Sequence, residues 1–221
     1  MDRRKYSILV LSDSDSWIAS YVGEFAVTLR NEGHRVVVAD EFPCADEFDF
    51  CFLLSYSKLI NREQLSKSRH NLVVHESALP HGKGWSPLTW QILEGKSQIP
   101  VTLFEANEKV DSGKIYLQRI ISCAGNELVD DLRKKQGQVT VEMCLDFVHD
   151  YPDILSEAVE QNGEESFYPR RRPEDSRLDI DKSIREQFNL LRVVDNDKYP
   201  AFFDFHGRRY VLKIYEASTG R

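Results

Sequence analysis

The stretch Tyr6-Ser7-Ile8-Leu9-Val10-Leu11-Ser12, a helical pattern over roughly 17–32, and then His34-Arg35-Val36-Val37-Val38-Ala39-Asp40 decide the fold. Both runs are short, apolar or β-branched, and closed by polar turn residues, the pattern of strands buried inside a sheet. Between them Asp13 to Ser16 offer oxygen acceptors that can cap a helix, and Gly33 can end it. Strand, helix and strand in that order build a parallel pair with a crossover.

The alternation continues outward from this unit. Phe48–Leu54, Asn71–His75, Val101–Ala106 and Lys114–Cys123 read as further strands. Ser86-Pro87 opens a short helix that Gly95 stops, with Ser86 as its N-cap. A long helix is expected over about 126–149, with Leu128, Leu132, Val139, Val141 and Leu145 among its apolar positions. A second helix is expected over about 181–194, then a hairpin of Ala201–Phe205 and Arg209–Tyr215 around His206-Gly207. The composition turns polar and proline-containing at Gln161, which divides the chain into a core, 1–160, and a C-terminal extension, 161–221. The expected class is α/β: a Rossmann-like, mostly parallel sheet flanked by helices, with a short C-terminal helix and β-hairpin.

Composition narrows the function. The chain has 221 residues, a formal net charge of −7 and 41% hydrophobic residues, enough for a substantial core and unlike a disordered chain. An acidic balance argues against a nucleic-acid partner, whose phosphates are held mainly by Lys and Arg. No apolar run reaches the roughly 18 residues that span a bilayer, and no cleavage site follows the basic N-terminus, so a soluble cytoplasmic protein without a membrane partner is expected. Cys44, Cys51, Cys123 and Cys144 are spread without a C-x-x-C pair, which reads as reduced cysteines and no metal site. The first βα turn, Ser12-Asp13-Ser14-Asp15-Ser16, lacks the glycines that let backbone approach a pyrophosphate. Asp13 and Asp15 are read there as caps.

The densest chemistry lies in Asn71-Leu72-Val73-Val74-His75-Glu76-Ser77-Ala78-Leu79-Pro80-His81-Gly82-Lys83-Gly84-Trp85-Ser86-Pro87. His75 closes a strand at its carboxyl end, where open α/β sheets place ligands. Asp111 sits in the turn Val110-Asp111-Ser112-Gly113. A strand-end histidine and a loop carboxylate are the minimal parts of a general base and its orienting group. On these residues alone, a hydrogen-bonded structural histidine stays open.

The segment resembles the folate-dependent formyltransferase family, whose pattern is Asn-x-His-x-Ser-Leu-Leu-Pro, a glycine-rich loop, a proline-opened helix and a later Asp-x-Gly. His75, Ser77, Leu79 and Pro80 match its centre, Gly82, Gly84 and Pro87 its loop and helix start, and Asp111 and Gly113 its turn. The stretch Trp85 to Gly95, the run Ser55 to Ile60 and the tail Tyr168 to Arg177 are similar to the branch that formylates nucleotide-linked amino sugars, possible pseudaminic-acid precursors among them. The resemblance implies formyl transfer from 10-formyltetrahydrofolate, without a metal, to the amine of a UDP- or dTDP-linked 4-amino-6-deoxy sugar. It implies His75 and Asp111 as catalytic, Tyr56, Leu79 and Pro80 at the folate, and Lys83, Trp85, Arg170 and Arg171 at the sugar nucleotide. It also implies a homodimer, with the aromatics of the terminal hairpin either its contact or local core. A glycinamide ribonucleotide formyltransferase and a non-catalytic folate- or nucleotide-sugar-binding relative are the alternatives. The length is taken to leave no room for a tRNA-binding domain. One departure stands out: the family's Asn position holds Val73, which has no hydrogen bond to donate. Asn71 lies too far back to replace it and is read as structural, and Trp90 as core.

Overall fold

In the computed structural model, which describes residues 4–43 and 46–217, β1 (Ser7–Leu11) and β2 (Arg35–Ala39) pair in parallel across α1 (Ala19–Asn31). The helix forms because Val22, Phe25, Ala26 and Leu29 recur at helical spacing and bury one face against the sheet. Cys44 lies outside the described residues.

Next come β3 (Phe48–Leu53), α2 (Arg62–Leu65), β4 (Ser68–His75), β5 (Lys83–Gly84) and α3 (Pro87–Leu93). They lead to β6 (Gln98–Glu105), β7 (Ile115–Ser122) and α4 (Val129–Asp150). After two short 3-10 turns and the two-residue β8 (Phe167–Tyr168), the chain ends in α5 (Phe188–Val193) and the hairpin β9 (Ala201–Phe205) and β10 (Arg208–Leu212). The main sheet runs in the order β2-β1-β3-β4-β6-β7. Its first four strands are parallel, and β6 and β7 are antiparallel additions at one edge. The mostly parallel α/β class read from the sequence is the class observed.

Strand alternation gives the sheet two apolar faces. On one, Val10, Phe52, Leu72 and Leu103 pack under α1 and α4, with Phe147 of α4 edge-on to Phe50 at 5.5 Å. On the other, Leu9, Leu11, Cys51 and Phe48 form a smaller cluster. Among the described residues Cys51, Cys123 and Cys144 are free and buried, and no helix is long and apolar enough to cross a membrane.

Three local expectations change. The helix expected over 181–194 is confined to Phe188–Val193. Ile180 and Ile184 are spaced for a helix face but stay exposed at 53% and 72%, because nothing packs on them. Gln187 instead ties this segment into turns, accepting from the Asp179 N–H and donating to its carbonyl. Ser86 does take the N-cap position of α3, but with a left-handed backbone, φ 49°, and without a capping hydrogen bond from its side chain. Asp13 does not cap α1; it accepts the Ser57 N–H at 3.2 Å and so pins the turn after β3.

Candidate functional site

Parallel strands end together on one edge of the sheet, and β4 delivers His75 there, 7% exposed. Its Nε2 lies 2.9 Å from the carbonyl oxygen of Gly82, so in the neutral ring Nε2 carries the proton and Nδ1 is the acceptor. Asp111 Oδ2 stands 4.0 Å from the same Nε2, too long for a hydrogen bond but close enough to act by charge. That oxygen accepts the Gly84 N–H at 2.9 Å.

Two glycines make this arrangement possible. Gly84 sits at φ 97°, and a Cβ there would meet the Tyr168 carbonyl oxygen at 2.5 Å. Without a side chain, β5 pairs with β8 and turns the Gly84 N–H to Asp111. At Gly113 a Cβ would fall 1.6 Å from the Glu105 carbonyl oxygen, so only glycine lets the aspartate turn close onto β6. Gln161 then donates to the carbonyls of Asp111 and Gly113 at 3.1 and 2.9 Å, fixing the turn from a distant part of the chain.

His75 and Asp111 line a cleft of about 870 Å³. One wall, with Leu53, Tyr56, Ile60, Val73 and Phe104, continues the smaller apolar clusters. The other, with Trp17, Leu54, Leu88, Leu132 and Val193, continues the core under α4. His75 marks where the two walls meet. Arg170 places its guanidinium 4.7 Å over the Trp85 ring at the rim of the second wall. Arg171 donates to the Asp175 carbonyl at 3.1 Å, and its buried Nε has no partner among the described residues. Burial pushes the Arg171 pKa down, partly offset by Asp175. Burial also works to raise Asp195, but the Lys198 N–H and Arg133 hold it at about 2.

The structure thus brings His75, Asp111, Tyr56, Trp85, Arg170 and Arg171 to one cleft. Leu79, Pro80 and Lys83 are not among its lining residues. Leu79 is buried behind Phe104 and Ile115 and supports the first wall from its back. Pro80 and Lys83 line a separate polar pocket of about 640 Å³. Lys83, 1% exposed, is committed to Glu165 at 2.7 Å, a carboxylate it shares with Lys109. Trp90 donates to the Pro169 carbonyl and stacks on Tyr168. Asn71 donates to the Leu65 carbonyl at 3.0 Å, a structural role.

Two cleft residues escaped the sequence reading. Glu76 and Gln136 meet there, Gln136 Nε2 donating to Glu76 Oε1 at 2.6 Å. The available signal was that α4 carries Gln136 and Thr140 one and two turns beyond Leu132, polar residues on a core-facing stripe. Among the described residues no group of three or more His, Cys, Asp and Glu is arranged to hold a metal ion.

Known proteins resemble this chain in sequence and in fold. A methionyl-tRNA formyltransferase from Ehrlichia ruminantium is 29% identical over 172 residues, 77% of this chain and 54% of that protein. The chain spans about half the length of the curated relatives it matches. HypX from Aquifex aeolicus, in complex with tetrahydrofolic acid, superposes with a TM-score of 0.77 at 19% identity, covering 96% of this chain and 38% of that one. A sugar N-formyltransferase from a Shewanella species gives 0.69 at 12% identity, covering 97% and 99%. The formyl transferase family matches residues 35–147, just over half of the sequence. The chain belongs to the formyl transferase family.

Proposed function

We propose that this cleft transfers a formyl group from 10-formyltetrahydrofolate to the amine of a UDP- or dTDP-linked 4-amino-6-deoxy sugar. The observation that carries the reading is a single histidine, backed by a carboxylate, at the meeting line of two differently built walls. Two substrates held on either side of it would react without the entropic penalty of collision.

The first wall suits a folate. Tyr56, Val73 and Phe104 form an apolar slot for a flat heteroaromatic ring, and the complex of HypX with tetrahydrofolic acid supports a folate as ligand. When bound, the folate supplies an activated formyl carbon. His75 then handles protons, with Nδ1 accepting one from the amine while Nε2–H stays on Gly82. Asp111, 4.0 Å away, stabilises the imidazolium so formed. Val73 offers no donor, so the positive ring itself faces the developing oxyanion.

The second wall suits the sugar nucleotide. Trp85, 42% exposed, offers a face for a base, and Arg170 to Arg172 offer guanidinium groups for a diphosphate. With a net charge of −7 over the chain, an anionic acceptor needs such a local cluster. The Shewanella enzyme supports a sugar acceptor, whereas the curated relatives support methionyl-tRNA as a second reading. The same proposal has the enzyme working in the cytoplasm as a homodimer joined through β9 and β10, where Tyr210, Val211 and Leu212 are exposed.

Mass spectrometry tests the substrate. Purified protein is incubated with 10-formyltetrahydrofolate and, separately, UDP-, dTDP- and GDP-linked amino sugars, glycinamide ribonucleotide and methionyl-tRNA. A formylated 4-amino sugar is expected. Product only from one of the other acceptors replaces the sugar, and ligand binding with no product from any of them favours a non-catalytic relative.

A further inference from the structure

Glu76 directly follows His75, yet it belongs to the opposite wall of the cleft. Val73 packs with Leu79 and Phe104, while Val74 packs with the core under α4. Glu76 follows Val74 to that side and meets Gln136 of α4 at 2.6 Å. Its own carbonyl accepts from Gln91 of α3 at 2.5 Å. Two glutamines from two helices therefore fix this residue, one through its backbone and one through its carboxyl group.

The carboxyl lacks what its position requires. Leu88, Leu132 and Thr140 share its wall, and no Lys or Arg pairs with it among the described residues. Arg133, in the turn of α4 before Gln136, is already paired with Asp195 at 2.8 Å. Burial pushes the Glu76 carboxyl up, His75 and Gln136 pull it down, and Asp111 pushes it up again. A carboxylate drawn partly out of water without a cation is held at a cost. A fold gains nothing from holding it there unless a cation arrives.

We propose that Glu76 receives the ammonium group of the acceptor, and that Gln136 holds the carboxylate in position for that contact. This rests on the formyl-transfer reading above. The proton ledger then closes. An alkyl amine is largely an ammonium at neutral pH, and its conversion to a formamide removes two protons. One passes to Glu76, freeing the nitrogen lone pair, and returns to solvent after product leaves. The other passes by way of His75 to the folate nitrogen whose bond to the formyl carbon breaks as the new C–N bond forms. The site would thereby select an amine over a hydroxyl at the same carbon.

The test uses the full chain and whichever amine the wild type formylates in the acceptor panel, together with the analogue carrying hydroxyl in place of that amine. Calorimetry without folate should show the wild type preferring the amine by at least about tenfold, the size of a charged hydrogen bond. Glu76→Gln should bind both within about twofold and lower kcat/KM by at least about a hundredfold. Gln136→Ala should lower kcat about tenfold while leaving affinity for the hydroxyl analogue unchanged. Because the unpaired carboxylate is removed, Glu76→Gln should also melt at a higher temperature than the wild type. Retained amine preference and turnover in Glu76→Gln overturn this proposal alone. A wild-type chain that formylates none of the acceptors overturns the formyl-transfer reading, and this proposal with it.

Discussion

Strand β4 carries His70 near one end and His75 at the other, and each meets an acid, but the two pairs are finished differently. His70 Nδ1 lies 3.0 Å from Glu105, whose other oxygen accepts the Asn71 N–H and which also takes the Tyr116 hydroxyl at 2.7 Å. Burial, then Glu105 itself, pushes the Tyr116 pKa up, so that hydroxyl stays protonated and donates. Phe147 and Tyr151 wall the cluster with aromatic rings. At the other end, Asp111 stands off from His75 by 4.0 Å, and the pair borders a cleft. The first cluster has its bonds inside the protein. The second keeps capacity in reserve for something that binds.

The largest effect should come from breaking the open cluster. His75→Ala is expected to lower kcat by about a hundredfold to ten-thousandfold, the usual worth of a general base. It should leave acceptor affinity intact and cost only about 1 kcal/mol of stability, the one hydrogen bond to Gly82. Steady-state kinetics beside calorimetry would read the split, and near-normal turnover removes His75 from the mechanism.

Breaking the closed cluster should do the reverse. Glu105→Ala strands His70, the Tyr116 hydroxyl and the Asn71 N–H, and about 3 kcal/mol of stability should be lost in urea unfolding. The folded fraction should keep wild-type kcat. A variant that unfolds normally but turns over poorly would erase the distinction between the two ends of β4.

The smallest effect concerns a third cluster, closed like the first. Glu127 pairs with the buried Arg192 at 2.7 Å and accepts the N–H groups of Ala124 and Gly125. Burial works to raise this carboxyl, but Lys135 and the backbone N–H groups outweigh it and hold it at about 2. The unfolded chain titrates near 4.5. The stabilisation is therefore complete above that pH and is lost as pH falls toward and through about 2. Glu127→Gln should flatten this limb, seen by comparing urea midpoints at about pH 6 and about pH 3. A wild-type curve flat across that interval would contradict the closed geometry.

How far these features can be read from sequence depends on how far away their partners lie. The β-branched runs of β1 and β2 and the Ser86-Pro87 helix start declare themselves locally, because burial and backbone geometry are set by neighbours. The strand end and the turn single out His75 and Asp111 only weakly, and the family resemblance is what joins them; they do share a cleft. The role of Lys83 is not legible in the sequence. Its partner Glu165 lies on a segment that reaches it only because β5 pairs with β8, and nothing near Lys83 announces that pairing. The Ile180 and Ile184 spacing suggests a helix that never receives a packing surface. Glu76 has no local sign of its role, since its glutamine clamps come from α3 and α4.

The contacts made by residues 161–168 have a consequence for how this protein can be divided. Gln161 holds the aspartate turn, Ser166 accepts the Gly82 N–H, and Tyr168 seats Gly84. Severing the backbone after residue 160 would leave all six strands of the main sheet intact. It would also release every one of those three clasps. Val193 would also leave the core and Arg192 would leave Glu127, so the strand pairings of the sheet draw on a shorter stretch of polypeptide than either its packing or its site does.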